Sequence, residues 1–194
     1  MKVCGLTGGV GMGKSTAAQT LCGRGVPVVD TDELARQIVQ PGEPALAEIQ
    51  NQFGKDIVAS DGRLRRDELA RVIFSDAAAR RKLEAILHPR IRQGWLAQIE
   101  VWRKEGHEIA VVVIPLLFET QAESHFDRIL CVACSPAAQQ ERLAARGWDA
   151  DQIRQRVAAQ LPVEQKIARS HFVIWTEGLL EVQHRQVGQI LRKL

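Results

Sequence analysis

The run Gly8-Gly-Val-Gly-Met-Gly-Lys-Ser15 fits the spacing G-x-x-x-x-G-K-[ST] at every fixed position. Each residue type has a reason to be there. Glycines let the backbone turn tightly and aim successive N–H groups at phosphate oxygens, and the N-terminus of a following helix adds positive potential. The Lys14 ammonium can reach terminal phosphates, and the Ser15 hydroxyl can ligate Mg²⁺. An apolar segment precedes the run and a helical pattern, Lys14–Cys22, follows it, which is the setting this chemistry needs. The chemistry is therefore the binding of a nucleoside triphosphate, with ATP as the expected ligand.

Two acids stand at the end of the second apolar segment, in Val28-Val-Asp-Thr-Asp32. A carboxylate at the C-terminal end of a strand, beside a phosphate loop, can take the proton of an attacking hydroxyl, which makes Asp32 the candidate base. Either acid could instead cap the helix that begins near Glu33, Asp30 more readily than Asp32. Arg142 and Arg146 are four apart on a predicted helix and would share a face, from which both could supply positive charge to a transferring phosphoryl group. A solvated helix face is the alternative for both. Guanine recognition through Asn-Lys-x-Asp is excluded, since the single asparagine, Asn51, is followed by Gln52. The segment Ile109–Ile114 runs into Pro115-Leu-Leu-Phe-Glu119 rather than ending in the magnesium-holding acid of motor ATPases. These features favour a small-molecule kinase. Cys131 and Cys134 have C-x-x-C spacing, but residues three apart on a strand point to opposite faces and no second ligand pair completes a site. They are read as plain buried thiols.

Positioning these groups requires strands and helices in alternation. Val3–Leu6, Val26–Val29, Ile109–Ile114, Ile129–Ala133 and Phe172–Trp175 are apolar without in–out alternation, so each is expected to be covered on both faces. Long connections between them predict an α/β fold, a five-stranded parallel sheet flanked by helices. Phe118 and Glu119 follow the third strand and should reach the cleft. Helical patterns lie around 33–39, 44–53 and 67–74 and from Ala77 onward; Pro89 is expected to break the last one, leaving His88 at a helix boundary and a separate helix over 90–104. The chain divides on this reading into a nucleotide-binding core (1–30, 105–140 and 167–194), a helical acceptor-binding subdomain (31–104) and an Arg-bearing lid (141–166).

The bulk numbers bound the rest. With 194 residues, 45% hydrophobic and 25% charged, the chain can bury one sizeable core. Its net charge of +3 is spread among acids, and there is no Tyr, which suits an anionic small molecule better than nucleic acid. No apolar run is long enough to cross a membrane, and Lys2 already opens a strand-like segment, so no leader and a cytoplasmic location are expected. Oligomeric state leaves no signal.

With these residues in place, the chain resembles the dephospho-CoA kinase family. Gly5-Leu-Thr-Gly-Gly-Val-Gly-Met-Gly-Lys-Ser-Thr16 matches that family's phosphate loop throughout, and Asp30-Thr-Asp-Glu-Leu-Ala35, His88-Pro89 and Ile114-Pro-Leu-Leu-Phe-Glu119 match further blocks in the family's order. Arg142, Arg146 and Gln160 match its lid-side pattern. The resemblance implies a P-loop kinase fold and transfer of the ATP γ-phosphate to the ribose 3′-hydroxyl of dephospho-CoA. It places the base on Asp32, with Lys14 and Arg142 as the other catalytic groups. It places the nucleotide on Gly9, Gly11, Met12, Gly13, Lys14, Ser15, Thr16 and Arg146, with Ser15 toward the metal. It puts His88, Arg92, Phe118 and Glu119 near the acceptor. One stretch departs from the pattern: His171-Phe-Val-Ile-Trp-Thr176 stands where the family has an acid before the last strand and an Asn after it. Trp175 is read there as a packing residue. The residues alone leave open another small-molecule kinase, or a nucleotide-binding switch without transfer activity.

Overall fold

The computed structural model describes the backbone of residues 1–194 and all side chains except those of residues 74 and 75. Five strands, β1 (Lys2–Gly8), β2 (Val28–Asp30), β3 (Ile109–Val113), β4 (Arg128–Ala133) and β5 (Phe172–Trp175), form one sheet in the order β2-β3-β1-β4-β5. Every pairing is parallel, with Leu6 opposite Val113 on one side and Leu130 on the other. The chain lays β2 and β3 to one side of β1, then β4 and β5 to the other, so β1 stands where the winding reverses. Ligands of open α/β sheets bind at the carboxyl ends of strands at such a point.

The chain divides into two compact units, Met1–Asp30 with Ile99–Leu194, and Thr31–Gln98. In the first unit, Cys4, Leu6, Val111, Val113, Leu130, Val132 and Ile174 present one face of the sheet to Ala17 and Leu21 of α1 (Lys14–Cys22) and to Val187 and Ile190 of α9 (Leu180–Leu191). Their period of two is what places them together. The opposite face meets α8 (Val163–Ala168) and the segment after β3; a side chain on Gly5 would collide with Leu117, 2.5 Å away. Two further helices, α6 (Pro136–Ala144) and α7 (Ala150–Ala158), lie between β4 and α8 in the chain.

The second unit carries α2 (Thr31–Gln37), α3 (Pro44–Phe53), α4 (Arg66–Ser75) and most of α5 (Ala77–Lys104). Its own core is formed by Val39, Ala45, Ile49, Ile57, Leu69, Leu83 and Ile86. Proline at the first position of α3 suits a helix start, since its missing donor would have no partner there anyway. Arg90 of α5 pairs with Glu48 of α3 at 2.6 Å.

Three expectations are corrected. α5 runs unbroken through Pro89 over 28 residues, so His88 lies inside a helix and caps nothing. Proline removes one backbone bond and crowds the preceding turn, and there the Arg90 guanidinium donates to the Ile86 carbonyl (2.7 Å). Next, α6 ends at Ala144, and Arg146 sits beyond it in the turn closed through Gly147, so Arg142 and Arg146 do not share a helix face. The Trp148 N–H bonds the Leu143 carbonyl and the Gly147 N–H bonds that of Ala144, the paired bonds of a Schellman stop. Finally, β5 is not covered on both faces: Val173 is 38% exposed and Trp175 42%. At this outer strand the Gln186 carboxamide of α9 accepts from the Trp175 N–H (2.9 Å) and donates to its carbonyl (2.9 Å).

Candidate active site

The loop between β1 and α1 is built around close approaches. A side chain on Gly8 would stand 2.3 Å from the Val132 carbonyl oxygen, so β1 and β4 can come together there only with glycine. Gly13 caps α1 in the left-handed region, φ 90°, where only glycine rests without strain. No side chain caps α1 and no acid occupies its first turn. A helix start with no capping side chain and no first-turn acid keeps its positive potential toward an anion. Lys14 folds back over the loop, its ammonium donating to the carbonyls of Gly8 (2.8 Å) and Gly9 (2.9 Å). Ser15 is exposed at the next position, with a hard hydroxyl oxygen of the kind Mg²⁺ accepts.

Side chains distant in sequence hold the loop in shape. Val10 is gripped on both backbone groups: its N–H donates to Gln160 Oε1 (2.9 Å) and its carbonyl accepts from Gln139 Nε2 (2.7 Å). Thr176 donates to the Met12 carbonyl (2.8 Å). Arg142 reaches Thr176 twice, Nη1 to the hydroxyl (2.8 Å) and Nη2 to the carbonyl (2.5 Å). Arg146 is exposed in the turn after α6. His171 accepts the Ile129 N–H on Nδ1 (3.0 Å), so its ring hydrogen sits on Nε2. A carboxylate there would accept the same donor.

The segment after β3 is braced from α8. Lys166 has no exposed side-chain surface, and its ammonium donates to the Pro115 carbonyl and to Glu119 Oε1, both at 2.8 Å. That same oxygen accepts the Leu161 N–H at 2.8 Å, and the Pro115 carbonyl also accepts the Thr7 hydroxyl at 3.2 Å. Burial alone would raise the Glu119 carboxyl, but the hydrogen bonds from Lys166 and Leu161 and the ammonium's charge outweigh it and hold the group below its ordinary range. Phe118 is buried, with the Arg169 guanidinium 4.3 Å above its ring, and Arg169 also pairs with Glu123. Cys131 and Cys134 are buried free thiols, and burial pushes Cys131 up to about 11.

Three of the candidate residues belong to the second unit. Asp32 is exposed in the first turn of α2, two residues past the end of β2, while Asp30 directly precedes that helix. His88 and Arg92 are exposed and four apart on α5; because the helix is unbroken they lie on one face. Lys166, Gln139, Arg169 and the role of Thr176 are not visible in the sequence, because their partners lie 34 to 164 residues away. Only the unusual composition around Thr176 marked that place.

A parallel sheet in this order, with a glycine loop, a lysine and an uncapped helix start after its central strand, defines a P-loop kinase. The dephospho-CoA kinase profile matches residues 2–181. The chain is 39% identical to the dephospho-CoA kinase of Bdellovibrio bacteriovorus, over 100% of this chain and 96% of that one. It is 43% identical to that of Anaeromyxobacter dehalogenans, over 100% and 92%. A crystal structure from Thermus thermophilus superposes with a TM-score of 0.84 at 36% identity, covering 100% of this chain and 97% of the other. The chain belongs to the dephospho-CoA kinase family. Among the described residues, no helix is long and apolar enough to cross a membrane.

Proposed function

We propose that this chain transfers the γ-phosphate of ATP to the ribose 3′-hydroxyl of dephospho-CoA, giving ADP and CoA, the last step of CoA synthesis. The observation that carries the reading is the uncapped α1 N-terminus with Lys14 folded over its loop, in a chain that matches the family along nearly its whole length. The phosphate loop, through Gly9, Gly11, Met12, Gly13, Ser15 and Thr16, holds the triphosphate, and Lys14 and Arg142 place positive charge where the transferring oxygens develop negative charge. Arg146 adds charge from the turn beyond α6. The Ser15 hydroxyl would help to hold Mg²⁺, which would supply further charge neutralisation when bound. Asp32 accepts the proton of the attacking 3′-hydroxyl as the new O–P bond forms and the bond to the β-phosphate bridging oxygen breaks. His88 and Arg92, on one exposed face of α5, together with Phe118 and Glu119, serve the acceptor.

Residues 31–104 act as the acceptor-binding part, 141–166 as the lid and the remainder as the nucleotide core. An ATP-consuming reaction and four free cysteines suit a cytoplasmic setting. Incubation with ATP, Mg²⁺ and dephospho-CoA should release ADP and CoA together. Release of ADP only with a different alcohol would instead make the chain another small-molecule kinase. Asp32→Asn should retain ATP binding while turnover falls by about 10²–10⁴, the usual worth of a positioned base. Full turnover in that variant would return Asp32 to a structural place in the first turn of α2.

A further inference from the structure

We propose that Thr176 is a positioning residue for Arg142, its hydroxyl coupling that arginine to the phosphate loop. The inference rests on the reading of Arg142 as a nucleotide-side cation. The geometry is specific. Thr176 follows β5, is 8% exposed, and is anchored by its own N–H to the Ala133 carbonyl (2.9 Å). Its hydroxyl oxygen is 2.8 Å from the Met12 carbonyl, 3.3 Å from the Ala133 carbonyl and 2.8 Å from Arg142 Nη1.

A guanidinium only donates and a carbonyl only accepts, so the atom joining them must do both. A hydroxyl, with one hydrogen and two lone pairs, does so. The second fork nitrogen of Arg142 binds the Thr176 carbonyl, so the guanidinium plane is fixed by two atoms of a single residue. Thr176 also seats against the loop by shape: its Cβ, Cγ2 and Oγ1 each lie 3.3 Å from where a side chain on Gly13 would begin. Met12 and Gly13 immediately precede Lys14, so the threonine touches the loop beside its principal cation. Both Arg142 acceptors are neutral oxygens, which leaves the guanidinium charge available to an anion.

Thr176→Val keeps the shape and deletes the coupling atom. In the full chain with ATP, Mg²⁺ and dephospho-CoA, kcat/KM for ATP should fall roughly tenfold, the scale of a hydrogen bond to a charged group. ATP affinity by calorimetry should weaken in step, KM for dephospho-CoA should stay within about twofold, and Thr176→Ser should restore most of the loss. Arg142→Ala should lose at least as much as Thr176→Val, and the double variant no more than Arg142→Ala alone, because the two act as one unit. Should the valine variant fail to fold, Thr176→Ala takes its place in the same cycle. Normal ATP kinetics in the Thr176 variant beside an impaired Arg142→Ala, or losses that add, would overturn the coupling and leave the kinase reading intact. Normal kinetics in Arg142→Ala would overturn the role of Arg142 and the coupling together. If dephospho-CoA is not turned over at all, the kinase reading fails, and the calorimetric cycle still decides on Thr176.

Discussion

Lys166 is a cation that water does not touch, held by one carboxylate and one carbonyl. Removing one partner of such a pair strands the other charge, and that is the costly event; the intact pair itself adds little. Lys166→Met should therefore lower stability by about 3–5 kcal/mol in urea unfolding, and adding Glu119→Gln should recover part of the loss. An undiminished midpoint in Lys166→Met would mean that Glu119 finds another donor. The pH dependence has a definite sign. Because the Glu119 carboxyl is held below its ordinary value of 4.5, the stability tied to it is complete above that value and is lost as pH falls through the depressed folded one. Residues of this kind explain what the sequence could and could not disclose. Lys14 and Ser15 were legible because the eight consecutive residues Gly8 to Ser15 carry the whole signal. Lys166, Gln139 and Arg169 were not, because each acquires meaning only when the chain brings a remote carbonyl, carboxylate or ring to it.

The elements show where local rules yield to packing. Strands were legible from their apolar runs, and β5 was located to the residue, although β2 lies further along, at Val28–Asp30. Helix ends fared worse. Pro89 reads as a breaker in isolation, yet Leu83 and Ile86 ahead of it are tied into the core of the second unit and Trp95 and Ile99 behind it are also buried. Burial on both sides outweighs the lost backbone bond. If so, the proline is a tolerated defect: Pro89→Ala should raise stability by about 1–3 kcal/mol, short of the full interior penalty because Arg90 already serves the neighbouring carbonyl. Thermal unfolding would read the gain, and a loss would show that the core of this unit depends on the proline ring. At α6 the stop is written in the sequence as a glycine. Gly147 in the following turn ends the helix before Arg146, as glycine commonly does.

At the scale of the whole molecule, the hydrophobic clusters described in each unit differ in size and predict two grades of resistance to opening. The interior strands β1, β3 and β4 are hydrogen-bonded on both sides, whereas the second unit holds its helices around a smaller cluster. Hydrogen exchange should accordingly retain amides of those strands longest and release those around residues 55–65 much sooner. A single common rate for both sets would indicate one cooperative unit. The α/β class was readable because strand and helix patterns alternate along the chain, and the strand order was not, since pairing leaves no mark on any one segment. The Gln186 carboxamide at Trp175 carries one more implication. An outer strand with outward Val and Trp is a natural template for a sixth strand from another molecule. By taking the N–H and the carbonyl of Trp175 that a newcomer would need, one glutamine blocks pairing at that point of the β5 edge while two apolar side chains stay exposed beside it.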